Sequence, residues 1–135
     1  MDRAGFHDWL QQYVDAWRLN DAVAIGDLFS SDVRYAYGPF DEALVGRNTV
    51  IESWLDQPDE PGTWQADYDV LAVDGDVFIA HGRTRYLTDD RRDVDREFAN
   101  VFVCRFDEER RCREFTEYYM RRRPDVADDE PPAAG

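Results

Sequence analysis

Several features that point to familiar functions are scarce in this sequence. The 135 residues include two cysteines and two histidines, and 16 basic side chains stand against 30 acidic ones. Neither cysteine belongs to a Cys-x-x-Cys pair or a His/Cys cluster, so we expect no zinc site and no cofactor. Cys104 and Cys112 are predicted to lie on opposite faces of a hairpin and to remain free thiols.

The charge and the lack of long apolar runs exclude two classes of partner. A net charge of −14 repels phosphate backbones and anionic lipid surfaces, so neither nucleic acid nor a membrane is expected as a partner. The N-terminal segment has no signal-peptide pattern and no apolar run approaches spanning length, so we expect a cytoplasmic protein. Apolar residues make up 43% of the chain, enough for one domain with a core.

Three helices are predicted in the first part of the chain. The first carries an apolar stripe at helical spacing, with polar residues on its other side. Asp21 is a suitable N-cap for a second, short helix over 22–29, and a third is predicted over 46–57, before Pro58. The members of the first stripe are Phe6, Trp9, Leu10, Tyr13, Val14 and Trp17.

Alternating patterns predict strands over 33–37, 64–73 and 77–87, the last two joined by Asp74-Gly75. Two more strands follow from Phe98 onwards. This order predicts an α+β fold, in which three N-terminal helices close over a curved, mostly antiparallel sheet as a cone with an interior. Residues 1–123 would form this domain, and the acidic, Pro- and Ala-rich tail 124–135 is predicted to be disordered.

The last two strands carry the most informative pattern. If Phe106 pairs with Arg111 across the turn, Asn100 faces Glu117 on an otherwise aromatic face that also holds Phe102, Phe115 and Tyr119. A carboxylate in aromatic surroundings is costly unless it is paired or protonated. Glu117 is therefore either a catalytic acid or base, or one half of a structural ion pair.

The order and spacing of four segments resemble the SnoaL-like branch of the NTF2-like superfamily, over about residues 6–122. These segments are YVDAWRLNDAVAIGDLFSSDVRY, VGRNTVIESWL, VDGDVFIAHGRTRY and RFDEERRCREFTEYYM. The resemblance implies the cone-shaped fold, with the first strand beside the last. It does not imply one reaction, because this fold hosts isomerases, hydrolases, cyclases, dehydratases and binding proteins.

Ketosteroid isomerases of this superfamily use a tyrosine and an aspartate as an oxyanion hole, and a second aspartate as the base. Tyr13 matches the tyrosine. Tyr37 stands in place of the base and Phe102 in place of the oxyanion-hole aspartate. The resemblance therefore does not extend to that isomerisation.

Limonene-epoxide hydrolases, also of this superfamily, use a tyrosine, an asparagine, an Arg-x-Asp pair and a final-strand acid. Tyr35, Arg83 and Glu117 match the tyrosine, the arginine and the final acid, whereas Tyr37 and Arg85 replace the asparagine and the aspartate. The pair of acids that activates water is reduced to one. The match of Arg83 implies that His81 and Arg85 share its inward-facing side of the strand.

The predicted catalytic residues are Glu117 as acid or base, Arg83 as its orienting partner and Tyr35 as a hydrogen-bond donor. A structural reading stays open for Glu117 and Arg83 as a buried ion pair, for Arg85 as a solvated side chain and for His81 as a core histidine. The predicted ligand-binding residues are Tyr13, Trp17, Tyr37, Trp54, His81, Arg85, Asn100, Phe102, Phe115 and Tyr119.

The predicted function is the binding of a small, largely apolar metabolite in an aromatic cavity, with metal-free acid/base catalysis of a hydrolase, isomerase or dehydratase type. The alternative is a non-catalytic ligand-binding or protein-interaction module with a filled cavity. An open cavity would favour catalysis or ligand binding, whereas a cavity filled by side chains would favour a protein-interaction module. The outer sheet face is predicted to be apolar and to form a homodimer interface. Its predicted members are Phe78, Tyr86, Val101, Val103 and Tyr118.

Overall fold

The computed structural model describes residues 1–124 and contains three helices and six strands in that part of the chain. In chain order they are α1 (Arg3–Leu19), α2 (Ala22–Gly26), β1 (Phe29–Ala36), β2 (Leu44–Val45), α3 (Arg47–Asp56), β3 (Trp64–Asp74), β4 (Val77–Leu87), β5 (Val94–Phe106) and β6 (Cys112–Arg121).

The six strands form one mixed sheet in the order β2-β1-β6-β5-β4-β3. Every neighbouring pair is antiparallel except β1 and β6, which run parallel. The α+β class is confirmed, and the first long strand lies beside the last, as the resemblance implied. The strands β1 and β2 lie between α2 and α3, so the helices do not form one uninterrupted N-terminal block.

The local signals for the first two helices are confirmed. The Asp2 side chain caps α1 by accepting a hydrogen bond of 2.8 Å from the Gly5 amide, and Asn20 ends the helix in the left-handed conformation. The Asp21 side chain caps α2 by accepting from the Val23 amide at 2.9 Å. This helix ends at Gly26, because the chain enters strand β1 at Phe29.

The predicted pairing of β5 with β6 is wrong by two residues. Glu117 is opposite Phe102, and Asn100 is opposite Tyr119. A shift of two leaves every side chain on its predicted face, because alternation along a strand has a period of two. Asn100, Phe102, Phe115, Glu117 and Tyr119 therefore still share one face.

Two features produce this shift, one residue each: Phe106 pairs with Cys112 rather than with Arg111, and an irregularity lies between Arg105 and Phe106. The irregularity turns the side chain of Cys112 inward, so Cys104 and Cys112 are both fully buried rather than on opposite faces. Both are free thiols, as expected. Burial raises the pKa of Cys104, and the neighbouring Cys112 adds to this effect.

The predicted facing of β4 is inverted. Phe78, Ala80 and Thr84 are buried on the inner face, whereas His81 and Arg83 are exposed on the outer one. The match of Arg83 to a family arginine set the wrong alternation. The apolar side chains decide it, because burying a ring such as Phe78 is favourable and burying an unpaired guanidinium is costly.

Gly82 allows β3 and β4 to approach closely on the inner face. A Cβ atom at this position would lie 1.9 Å from the Asp67 carbonyl oxygen and 2.7 Å from the Tyr68 ring. The Tyr68 ring therefore occupies the space that a side chain at 82 would fill. The same ring contributes to the cavity described below.

No helix within residues 1–124 is both long and apolar enough to cross a lipid bilayer. The tail predicted to be disordered lies outside the described residues, except for Pro124. The domain limits at 1–123 remain a prediction.

We predict that Gly82→Ala lowers the free energy of unfolding by about 1–3 kcal/mol or more, because the new methyl group overlaps the backbone of β3. Gly75→Asn is the control. Gly75 has φ +59° with nothing within 4 Å, and asparagine tolerates this conformation, so a change below about 0.5 kcal/mol is expected. Urea unfolding measures both, and equal stabilities would contradict the close approach.

Candidate functional site

A cavity of about 530 Å³ opens between the helices and the inner face of the sheet. Nine aromatic side chains line it, together with two carboxylates, one guanidinium and a few neutral polar groups. Its lining residues are Tyr13, Trp17, Tyr35, Tyr37, Ser53, Trp54, Gln57, Asp59, Tyr68, Thr84, Tyr86, Arg96, Phe98, Asn100, Glu117 and Tyr119.

A stack of rings fixes the inner wall of the cavity. The Tyr35 ring lies parallel to that of Phe115, with centroids 4.5 Å apart, and Phe115 also packs on Phe102 and Tyr13. Phe102 and Phe115 are buried behind the lining residues rather than exposed in the cavity. The parallel pairing of β1 with β6 produces this stack, because it places Tyr35 opposite Phe115.

A chain of hydrogen bonds crosses three strands and ends at Glu117. The Tyr68 hydroxyl lies 2.5 Å from Thr84 Oγ1, which donates to Asn100 Oδ1 at 2.9 Å. The Asn100 amide nitrogen then donates to Glu117 Oε2 at 2.7 Å. Since Thr84 donates its only proton to Asn100, Tyr68 donates to Thr84. Every donor in the chain therefore points toward the carboxylate.

Two opposing effects act on the Glu117 carboxyl group. Burial among aromatic rings raises its pKa, because the charged form loses hydration. The hydrogen bond from Asn100 lowers it by stabilising the carboxylate, and burial is the larger effect. Within residues 1–124, no arginine or histidine nitrogen lies within 4.0 Å of this carboxylate.

Two buried tyrosines lie side by side near Glu117. The hydroxyl oxygens of Tyr13 and Tyr35 are 3.4 Å apart. Burial raises the pKa of each phenol far above its usual value, and the field of Glu117 adds to this rise. Both phenols therefore stay neutral at physiological pH. One of them donates its proton to the other, and the second phenol keeps its proton for a bound molecule.

Several polar groups of the cavity lining form hydrogen bonds or a cation–π contact with neighbouring side chains. The Trp17 indole N–H donates to Asp59 Oδ2 at 3.0 Å, and the Arg96 guanidinium lies over the Tyr86 ring, 4.6 Å from its centroid. Burial raises the pKa of Tyr86 to about 12, and the field of Asp59 contributes. The Tyr37 hydroxyl is 2.8 Å from Ser53 Oγ on α3.

The structure brings together eight of the thirteen predicted site residues. They are Tyr13, Trp17, Tyr35, Tyr37, Trp54, Asn100, Glu117 and Tyr119. Phe102 and Phe115 support the cavity from behind.

The prediction that places His81, Arg83 and Arg85 inside is wrong. All three point to the outer face of β4, where Arg85 forms an ion pair of 2.7 Å with Glu97. Arg83 therefore cannot orient Glu117 or form a buried pair with it. The cavity role of Arg85 is wrong for the same reason, as are both readings of His81, in the cavity and in the core.

Thr84, Tyr68 and Tyr86 are the most informative residues that sequence reasoning missed. Thr84 and Tyr86 lie on the inner face of β4, which the sequence prediction assigned to the outside. Tyr68 lies on the inner face of β3, a strand whose facing the sequence analysis did not predict. The buried Phe78 and Ala80 of the same strand carried the signal that would have found Thr84 and Tyr86. Asp59 lies in the loop between α3 and β3 and had no periodic signal. Arg96 lies in β5, which was predicted to begin only near Phe98, so its place on the same face as Phe98 and Asn100 was missed.

Within residues 1–124, no three His, Cys, Asp or Glu side chains come together in a group that could hold a metal ion. The polar groups of the cavity are suited instead to hydrogen bonding and proton transfer with an organic molecule.

The family model for the SnoaL-like domain matches residues 10–114, most of the chain. The chain belongs to the SnoaL-like domain family. This confirms the resemblance to the NTF2-like superfamily drawn from the sequence. No curated protein matches the chain.

Two solved structures show the same fold as this SnoaL-like domain. One is an NTF-2 like protein of unknown function from Burkholderia xenovorans LB400, with 15% identity, a TM-score of 0.67 and coverage of 92% of this chain and 89% of that one. The other, from Kribbella flavida DSM 17836, is provisionally assigned as a ketosteroid isomerase; it has 19% identity, a TM-score of 0.64 and coverage of 96% and 85%.

We predict that Glu117→Gln changes the pH dependence of stability. Glu117 has a raised pKa in the folded state, so above its ordinary value of 4.5 the folded protein keeps a proton that the unfolded chain has lost. In the wild type this carboxyl therefore contributes stability at low pH that is lost as pH rises through the folded pKa. Glutamine keeps the shape and does not titrate.

The free energy of unfolding of Glu117→Gln, minus that of the wild type, should therefore rise with pH above about 4.5, with a slope of at most about 1.4 kcal/mol per pH unit. Urea unfolding at a series of pH values measures this difference. All other carboxyl groups are common to both proteins and cancel. A difference that is constant or falls with pH would contradict the raised pKa.

Proposed function

We propose that the SnoaL-like domain binds a small, largely apolar metabolite in the aromatic cavity and catalyses a proton transfer on it. Glu117 is the general acid or base, and Tyr35 donates a hydrogen bond to a substrate oxygen. The observation that carries this proposal is the Glu117 carboxyl, held by Asn100 and lining a cavity of about 530 Å³. Such a cavity has the size and the apolar character of a small-molecule site.

The burial of Glu117 suits it to proton transfer. A general acid or base works best when its pKa lies near the operating pH, and burial raises the pKa of this carboxyl in that direction. The chain of donors from Tyr68 through Thr84 to Asn100 fixes its position. A hydrolase, isomerase or dehydratase reaction each fits a site that contains one movable proton and neutral phenol donors.

The site differs from both enzyme groups that the sequence resembles. Phe102 stands where ketosteroid isomerases have an acid, but its partner across the strand pair is Glu117. A carboxyl group is thus supplied to nearly the same part of the cavity from the neighbouring strand. Tyr37 at the position of the base, and Arg83 on the outer face, argue against the established isomerase and epoxide-hydrolase routes for this chain.

The alternative is a domain that binds a ligand or a protein without chemistry. A cavity filled by its own side chains would favour an interaction module, and the open volume weighs against that form. Ligand binding without turnover shares the cavity with the catalytic proposal. Only the fate of a bound molecule separates the two.

Turnover tests the proposal directly. Small neutral carbonyl compounds, epoxides and alcohols are first screened for thermal stabilisation of the protein, and binders are then followed for conversion by mass spectrometry. Glu117→Gln should lower turnover by about two to four orders of magnitude while the protein remains folded, because a general acid–base group contributes about that much. Tyr35→Phe should retain binding and lose part of the rate.

Glu114→Gln is the matched control. Glu114 lies on the same strand but on the outer face, where it pairs with Arg105 at 3.1 Å, so its loss removes one charge without touching the cavity. Its turnover should equal that of the wild type. Full turnover by Glu117→Gln would remove Glu117 from the chemistry, and binding without any conversion would favour the non-catalytic alternative.

We also propose that the domain forms a homodimer through the outer sheet face. Phe78 and Tyr86 do not belong to this face, which corrects the sequence prediction. Three cross-strand rows form it instead, Ile79–Val103–Thr116, His81–Val101–Tyr118 and Arg83–Ala99–Met120. Six of these nine side chains are apolar, and His81, Arg83 and Thr116 are the polar ones. Its apolar members are Ile79, Ala99, Val101, Val103, Tyr118 and Met120.

Sedimentation of the isolated protein tests this assembly. Val103→Asp should shift the mass from dimer toward monomer at about micromolar concentration, because a buried unpaired carboxylate at an apolar interface is costly. Val94→Asp is the control, since Val94 is an exposed residue at the start of β5. A wild-type monomer at this concentration would contradict the proposal.

A further inference from the structure

The charge balance of the cavity bears on the nature of its ligand. The lining contains two carboxylates, Asp59 and Glu117, and one guanidinium, that of Arg96. The sequence contains no lysine, so arginines are the only permanently charged cationic side chains. Those of β4, Arg83 and Arg85, point away from the cavity.

Within residues 1–124, neither carboxylate of the cavity has an arginine or histidine nitrogen within 4.0 Å. Each accepts one neutral hydrogen bond, Glu117 from the Asn100 amide and Asp59 from the Trp17 indole. Glu117 is the one that belongs to the chain of hydrogen bonds across the sheet. The surroundings of Glu117 therefore disfavour the carboxylate, unless a positive charge enters from outside the chain.

The walls around this carboxylate are suited to an organic cation. Nine of the sixteen lining residues are aromatic, and the negative π face of an aromatic ring attracts cations. Arg96 already illustrates this attraction, with its guanidinium 4.6 Å from the centroid of the Tyr86 ring. A net charge of −14 on the whole chain also favours the approach of cations over anions.

We propose that the ligand of this cavity is an organic cation, an amine or quaternary ammonium compound whose positive charge lies among the aromatic rings and beside Glu117. This inference rests on the proposed function, because it names the class of molecule that the same site takes. The cation supplies the counter-charge that Arg83 does not. In the complex Glu117 is held as the carboxylate, so it acts as the proton acceptor.

The choice between a cation and a neutral molecule is tested with two probes of the same shape. Phenyltrimethylammonium carries the charge, and tert-butylbenzene has carbon in place of nitrogen. Titrations followed by the NMR signals of the tryptophan indole N–H groups report binding in the cavity, since Trp17 and Trp54 line it. The wild type should bind the cation at least about tenfold more tightly than the neutral probe.

Glu117→Gln should lose about tenfold in affinity for the cation and keep its affinity for the neutral probe, whereas Glu114→Gln should match the wild type with both. Equal or tighter binding of the neutral probe by the wild type would overturn the cation inference. A failure of the cation to bind at a concentration of about 10 mM would also overturn it, because this concentration is about tenfold higher than a dissociation constant of about 1 mM, which is already weak. The wild-type comparison of the two probes holds even if Glu117→Gln does not fold.

The failure of this inference and that of the proposed function remain distinguishable. If the wild type prefers the neutral probe, the ligand is not a cation, but the apolar cavity with Glu117 that the proposed function requires is unaffected. The turnover experiment is run with the neutral substrates and with amine-bearing analogues of them, so conversion of either class supports the proposed function whatever the charge of the ligand. Binding of the cation without any turnover supports the inference and leaves a non-catalytic cation-binding domain.

Discussion

The hydrogen bond from Asn100 to Glu117 is the contact on which the site depends. It holds a carboxyl group among aromatic rings, where a free carboxylate would be unstable. Thr84 and Tyr68 fix the orientation of Asn100, so three neighbouring strands support one carboxyl. The mixed sheet makes this possible, because β5 and β6 occupy its middle and both point their polar residues into the cavity.

Aromatic packing and the polar chain have separate tasks. The stack of Tyr35, Phe115 and Phe102 forms an apolar wall of the cavity, and burial raises the pKa of Glu117, which lines the same cavity. The polar chain limits this rise and sets the direction in which the carboxyl group points. An open cavity with one such group is suited to binding and proton transfer. Within residues 1–124, no guanidinium nitrogen lies within 4.0 Å of Glu117, which makes the charge of the ligand a decisive variable.

Periodicity predicted most of the fold and a good part of the site. The stripe from Phe6 to Trp17 and the cap Asp21 depend on neighbours a few residues away, so sequence spacing captures them. The predicted inner face of the hairpin formed by β5 and β6 is also correct despite the error in register, because a shift of two residues leaves each side chain on the same face. The predicted facing of β4 is wrong, because it followed the match of Arg83 to a family arginine rather than the apolar side chains of Phe78 and Ala80, which are buried.

The sequence by itself determined the α+β class, the family and the aromatic face that carries Glu117, because these follow from local alternation and from the order of segments. Only the tertiary structure decided which groups meet that carboxyl. The irregularity beside Phe106, the close approach at Gly82 and the parallel pairing of β1 with β6 are contacts between residues distant in the chain. Arg83 lies on the outer face because the buried Phe78 and Ala80 set the facing of β4. The pairing of the strands brings Tyr68, Thr84 and Asn100 into one line with Glu117, since side-chain partners across strands depend on register rather than on spacing.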